Sequence, residues 1–193
     1  MNRKFLSSLS LFLIGFLTFS SSVWCGEMQT ITLGGKPLTL TGEKLQTGKM
    51  LPTVLLPDLG LNMVDLQSFK GKVTLLSVVP SLDTPTCDKQ THILSEENKG
   101  LDKIANLITI SRDLPFAQKR FATKTKMQNI TFLSDYRDAQ FGKSTGLLIE
   151  ENRLLARAII ILDPEGTVRY LEIVSELSKL PDMEKAMEFA RSL

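Results

Sequence analysis

A chain of 193 residues is long enough to bury one core without help from disulfides or a structural metal. Of its 23 Lys+Arg and 21 Asp+Glu, Arg3 and Lys4 fall in a leader-like segment that holds no acid, so the rest carries 21 charges of each sign. That balance argues against nucleic acid or a polybasic membrane surface as a partner, and two Cys with one His cannot build the usual zinc sets.

In chain order, Arg3 and Lys4 precede the apolar run SLSLFLIGFLTF and a small polar stretch at Ser20, Ser21 and Ser22. This is the build of a removable export signal, and it falls short of the roughly 20 apolar residues a membrane span needs. The reading is therefore a signal peptide over residues 1–26 and a single exported domain over 27–193. Cys25 is the alternative as a lipidated first residue, but lipoprotein signals want a small residue before the Cys, and Trp24 is bulky. Once the leader is removed at 26, Cys87 is the one thiol left, and an odd thiol in an oxidising compartment points to reactivity or intermolecular pairing.

Gly34-Gly35 lies between alternating segments at 29–33 and 36–40, which predicts a β-hairpin. After a loop with Pro52 and Pro57, residues 73–79 read as a buried strand stopped by Pro80. A helix follows over 85–101, with Pro85 in its first turn and Cys87, Gln90, Thr91 and Leu94 on one face. Residues 107–110 are a second buried strand, Leu114, Ala117 and Phe121 mark a second helix, and 131–133 make a third strand. The apolar run 158–162, the turn Pro164-Glu165-Gly166 and the returning strand 167–174 predict a second hairpin. Pro181 opens a last helix with Met183, Ala186, Met187 and Ala190 in one stripe. Strands alternating with helices between two hairpins give an α/β fold, a mixed sheet with helices on both faces.

The chemistry concentrates in the connection Pro80-Ser81-Leu82-Asp83-Thr84-Pro85-Thr86-Cys87, which joins a buried strand to a helix start. A thiol in the first helical turn meets unpaired N–H groups and the positive end of the macrodipole, both of which favour a thiolate. Thr84 stands three residues earlier, where its hydroxyl can aim at the sulfur, and Pro80 walls one side without offering an N–H.

Pro80, Thr84 and Cys87 match the Pro-x-x-x-Thr-x-x-Cys signature of the peroxiredoxins. Together with SRDLPFAQKRF at 111–121 and LARAIIILD at 155–163, the chain resembles the bacterial thiol peroxidase branch of that family over residues 28–193. The resemblance implies a thioredoxin-like fold, a bacterial periplasm as the destination of the exported domain, a homodimer with surfaces near the Cys87 loop and residues 114–117, and reduction of hydrogen peroxide and organic hydroperoxides without metal or organic cofactor. It also implies that Arg157 completes a site formed with Pro80, Thr84 and Cys87, the sulfur attacking one peroxide oxygen to become a sulfenic acid. One departure stands out: the branch usually carries a resolving Cys where this chain has Ala122. The expectation is a one-Cys cycle, with a small thiol or thioredoxin-like protein as reductant. The alternative is a redox sensor or binding module in which Cys87 forms mixed disulfides without turnover.

Other features read as structural. His92, five residues after Cys87, is turned about 140° away around the helix and is expected half-exposed. The string Gly142-Lys143-Ser144-Thr145 lacks the first glycine of a phosphate loop, having Arg137 there. Arg112, Lys119, Arg120, Lys124 and Lys126 read as one solvated helix face.

Overall fold

Gly34 and Gly35 adopt φ of 58° and 77°, the left-handed pair that a tight hairpin turn requires. They join β1 (Thr30–Leu33) to β2 (Lys36–Thr41), with Leu33 opposite Lys36. The computed structural model describes residues 30–193, so the leader 1–26, Cys25 and the first residue of the expected hairpin lie outside the described residues. Next comes a small hairpin absent from the sequence reading, β3 (Leu55–Pro57) with β4 (Met63–Asp65). Three-residue strands, one of them ending in proline, are too short to show a period of two.

The chain then enters β5 (Thr74–Val78), α1 (Pro85–Glu96), β6 (Asn106–Ser111), α2 (Pro115–Thr125) and β7 (Thr131–Ser134). The expected helix over 85–101 is shorter than read. Asn98 ends it, its Nδ2 donating to the carbonyls of Leu94 at 3.2 Å and Ser95 at 2.7 Å while its Oδ1 accepts from Gly100 N at 3.0 Å. Gly100 then turns left-handed, with φ of 81°.

A helix the sequence did not announce, α3 (Gln140–Thr145), precedes β8 (Leu148–Ile149), which pairs with β2. Six residues are too few for a helical stripe, and its capping group lies upstream: the buried Asp135 carboxylate accepts from Phe141 N at 2.9 Å and Gly142 N at 3.0 Å. Burial pushes the Asp135 carboxyl above its usual range, against those two N–H groups. The phosphate-loop-like string lies in this helix, where a Cβ on Gly142 would stand 2.7 Å from Leu155 Cδ2, so that glycine serves close packing.

The second predicted hairpin is present as β9 (Ala158–Leu162) and β10 (Val168–Ile173), and α4 (Met183–Arg191) closes the chain behind its Asp182 cap. The main sheet runs β10-β9-β5-β6-β7, with β5, β6 and β7 parallel and β9 antiparallel to β5. The period of two divides its side chains. Leu75, Ile159 and Ile161 face α1, α2 and α4, whereas Leu76, Val78, Ile160 and Leu162 pack against α3 and the N-terminal hairpin. Helices therefore cover both faces of a mixed α/β sheet. Because β9 opposes β5, Val78 at the end of one strand is partnered by Ala158 at the start of the other. That pairing brings the two ends that carry chemistry side by side.

Candidate active site

The connection after β5 is fixed before it reaches the sulfur. Val79 N donates to Ile110 O at 3.0 Å, and Pro80 is buried where the strand ends. Asp113 then clamps the loop, accepting from Ser81 Oγ at 2.7 Å, Leu82 N at 2.8 Å and Ser111 Oγ at 2.7 Å. Pro85 starts α1 with Thr84 as its N-cap residue in extended conformation. The Thr84 hydroxyl makes no capping bond; Oγ1 lies 2.9 Å from Cys87 Sγ and 3.1 Å from Ser81 O. A hydroxyl has one proton, so it donates to the carbonyl when the sulfur is a thiol and can swing to the sulfur when that sulfur is anionic. Cys87 itself is fully buried, and first-turn N–H groups beside it have no partner within the helix.

Arg157 closes the site from the start of β9. Its side chain is 2 % exposed, and each of its three nitrogens has a partner. Nη2 donates to Cys87 Sγ at 3.4 Å, Nη1 to Gln90 Oε1 at 2.8 Å, and Nε to the Leu177 carbonyl at 2.9 Å. Gln90 is held in turn by donating from Nε2 to Ser77 Oγ at 2.8 Å. Among the described residues no carboxylate forms an ion pair with Arg157. A buried cation without a carboxylate is costly, and the sulfur is the group it faces that can carry the opposing charge.

Of the residues singled out from sequence, the fold joins Cys87, Thr84 and Arg157 by direct hydrogen bonds, while Pro80 contributes only bulk. Gln90, Ser77, Asp113 and the Leu177 carbonyl were missed as members of this network. Only Gln90 left a signal, one helical step from Cys87 on the same buried face. His92 is half-buried as expected, between Asp88 at 3.5 Å and Glu96 at 2.7 Å, with no bond to the sulfur. Arg112 departs from the expected solvated helix face: it precedes α2, and its guanidinium donates to the carbonyls of Asp135, Arg153 and Tyr136. Ala122 is buried within α2. An open groove of about 900 Å³ runs between the α1 start and α2, lined by Leu82, Thr84, Pro85, Phe121, Arg120 and Lys124.

Comparison with known proteins identifies the family. The Redoxin family profile matches residues 46–187. The chain is 44% identical over 166 residues to the thiol peroxidase of Staphylococcus saprophyticus, covering 86% of this chain and all of that one. It is 47% identical over 167 residues to the thiol peroxidase of Halalkalibacterium halodurans, with 86% and 99% coverage. Among solved structures, a peroxiredoxin-like protein from Aquifex aeolicus superimposes with a TM-score of 0.80 at 34% identity, over 86% of this chain and 99% of that one.

Proposed function

The chain belongs to the Redoxin family, in the bacterial thiol peroxidase branch of the peroxiredoxins, and on that premise we propose that Cys87 performs its thiol-dependent peroxide reduction. The observation that carries this assignment is the pair of donors converging on one buried sulfur, Thr84 Oγ1 at 2.9 Å and Arg157 Nη2 at 3.4 Å.

In the first step the Cys87 thiolate attacks the terminal peroxide oxygen. A sulfur–oxygen bond forms, the oxygen–oxygen bond breaks, and the departing alkoxide or hydroxide takes up a proton to leave as alcohol or water. Arg157 and the free N–H groups of the first turn of α1 stabilise the charge growing on oxygen, Thr84 steers its hydroxyl between sulfur and substrate, and Pro80 keeps water off one side. In the second step an external thiol, small or carried by a thioredoxin-like protein, displaces water from the sulfenic acid to give a mixed disulfide. A further thiol then releases Cys87. Ala122 at the place of the usual second thiol is what favours this external route. Among the described residues Cys87 is the sole cysteine.

We also read the protein as exported after loss of residues 1–26, leaving a domain over 27–193, and as a homodimer. Leu114 and Phe116, about half exposed beside the site, supply an apolar surface for the second copy.

Replacing Thr84 by Val or Arg157 by Met is expected to slow oxidation of Cys87 by hydrogen peroxide about a hundredfold, measured by quenched-flow counting of sulfenylated protein. Unchanged rates in both would sink the site assignment. Catalytic loss of peroxide on adding a dithiol separates an enzyme from a sensor that merely forms mixed disulfides.

A further inference from the structure

The anchor of the Arg157 side chain is a backbone carbonyl in a loop with no regular structure of its own. Arg157 Nε donates to Leu177 O at 2.9 Å, and Leu177 lies between β10 and α4. The same peptide unit presents the Ser178 N–H, which donates to Glu176 Oε1 at 3.3 Å. A trans peptide is planar, so a group holding its N–H also fixes the direction of its carbonyl.

Glu176 is itself tied into the N-terminal hairpin. Its carboxylate accepts from Thr32 Oγ1 at 2.8 Å, from Gly34 N at 3.1 Å and Gly35 N at 3.3 Å in the turn, and from Ser178 Oγ at 2.8 Å. The loop backbone zips onto β1 as well, through Thr32 N to Ser175 O and Leu177 N to Thr32 O, both at 2.7 Å. The next carbonyl, Ser178 O, accepts from Thr86 Oγ1 at 3.3 Å, one residue before Cys87.

We infer that Glu176 is a positioning residue for peroxide reduction: it knots the N-terminal hairpin to the 175–178 loop and so aims the Leu177 carbonyl that orients the Arg157 guanidinium. This rests on the role proposed above for Arg157. The hydrogen bonds from Thr32 and Ser178 hold the Glu176 carboxyl at about 2, so it is ionised throughout the range in which the reaction runs.

The test is a double-mutant cycle on the full chain, reading the second-order rate of Cys87 oxidation by hydrogen peroxide. Glu176→Ala is expected to slow oxidation about five- to tenfold, as a displaced catalytic group should, with Glu176→Gln between the two. In the Arg157→Met background Glu176→Ala is expected to change nothing further, because the group it aims is gone. Equal slowing in both backgrounds would show general loosening and overturn the inference, as would an unchanged rate for Glu176→Ala. If Glu176→Ala does not fold, Thr32→Val removes one carboxylate donor while keeping the β-branched shape, and the same two outcomes decide. A wild-type rate in Arg157→Met alone would instead remove Arg157 from the site, and this inference with it.

Discussion

Single residues in this protein act by satisfying more than one neighbour at a time. Asp113 is the clearest case outside the sulfur's own partners, since its two carboxylate oxygens hold a loop hydroxyl, a loop N–H and the hydroxyl of Ser111 together. Truncation leaves those donors without an acceptor, and hydrogen bonds to a charged group contribute about 1.5–3 kcal/mol each at most. Asp113→Ala is expected to lower stability by about 2 kcal/mol in urea unfolding and to slow Cys87 oxidation, because the loop that carries Thr84 loses its clamp. A variant with wild-type unfolding and wild-type oxidation would show that the loop holds its shape without that carboxylate.

At the scale of elements, close approach rather than propensity decides which substitutions the fold tolerates. Gly42 follows β2 with φ of 112°, and a Cβ there would stand 2.1 Å from Lys143 O in α3. Backbone cannot retreat as a flexible side chain can. Gly42→Ala is therefore expected to destabilise by at least about 2 kcal/mol, combining conformational strain with displacement of α3. Gly35→Ala is the control: its φ is 77° but no heavy atom lies within 4 Å of the added carbon, so only the strain of about 1 kcal/mol should appear. Equal losses in the two variants would refute the steric account.

For the molecule as a whole, Glu176 contributes to the acid limb of the stability curve together with Asp58, Glu151 and Asp163, whose carboxyls are also held below their usual range by hydrogen bonds. The Glu176 carboxyl is depressed from 4.5 to about 2 in the folded protein, so its contribution is fully present above pH 4.5 and is lost as pH falls toward about 2. Asp135 works in the opposite sense, its raised value making the charged form a burden at neutral pH that eases on acidification. Glu176→Gln is expected to flatten the decline in stability between those two pH values, read from urea midpoints at a series of pH. An identical slope in variant and wild type would show that this carboxylate contributes nothing to the limb.

Legibility from sequence varied with the same scales. Buried strands such as Ala158–Leu162 announce themselves as apolar runs, and Pro85 with Cys87 marks a helix start that carries a thiol. The brief β3–β4 pair and α3 do not: three-residue strands show no period, and the six residues of α3 are held by a carboxylate outside the helix, that of Asp135. Thr84 and Cys87 are legible as neighbours in one motif. The companionship of Arg157 with Gln90, Leu177 and ultimately Glu176 is not, since it depends on the antiparallel register of β9 against β5.

That register has a consequence for how activity arises during folding. The nucleophile and its cation are separated by 70 positions along the chain and meet only when the strand after residue 157 has closed onto the centre of the sheet. Local helices and the consecutive parallel strands can form before this closure, whose entropy of loop formation makes it slow. A partly folded chain would therefore contain the sulfur, its threonine and its helix yet lack the guanidinium that faces them. The contribution of the guanidinium to reactivity is therefore a property of the closed sheet and of no local segment.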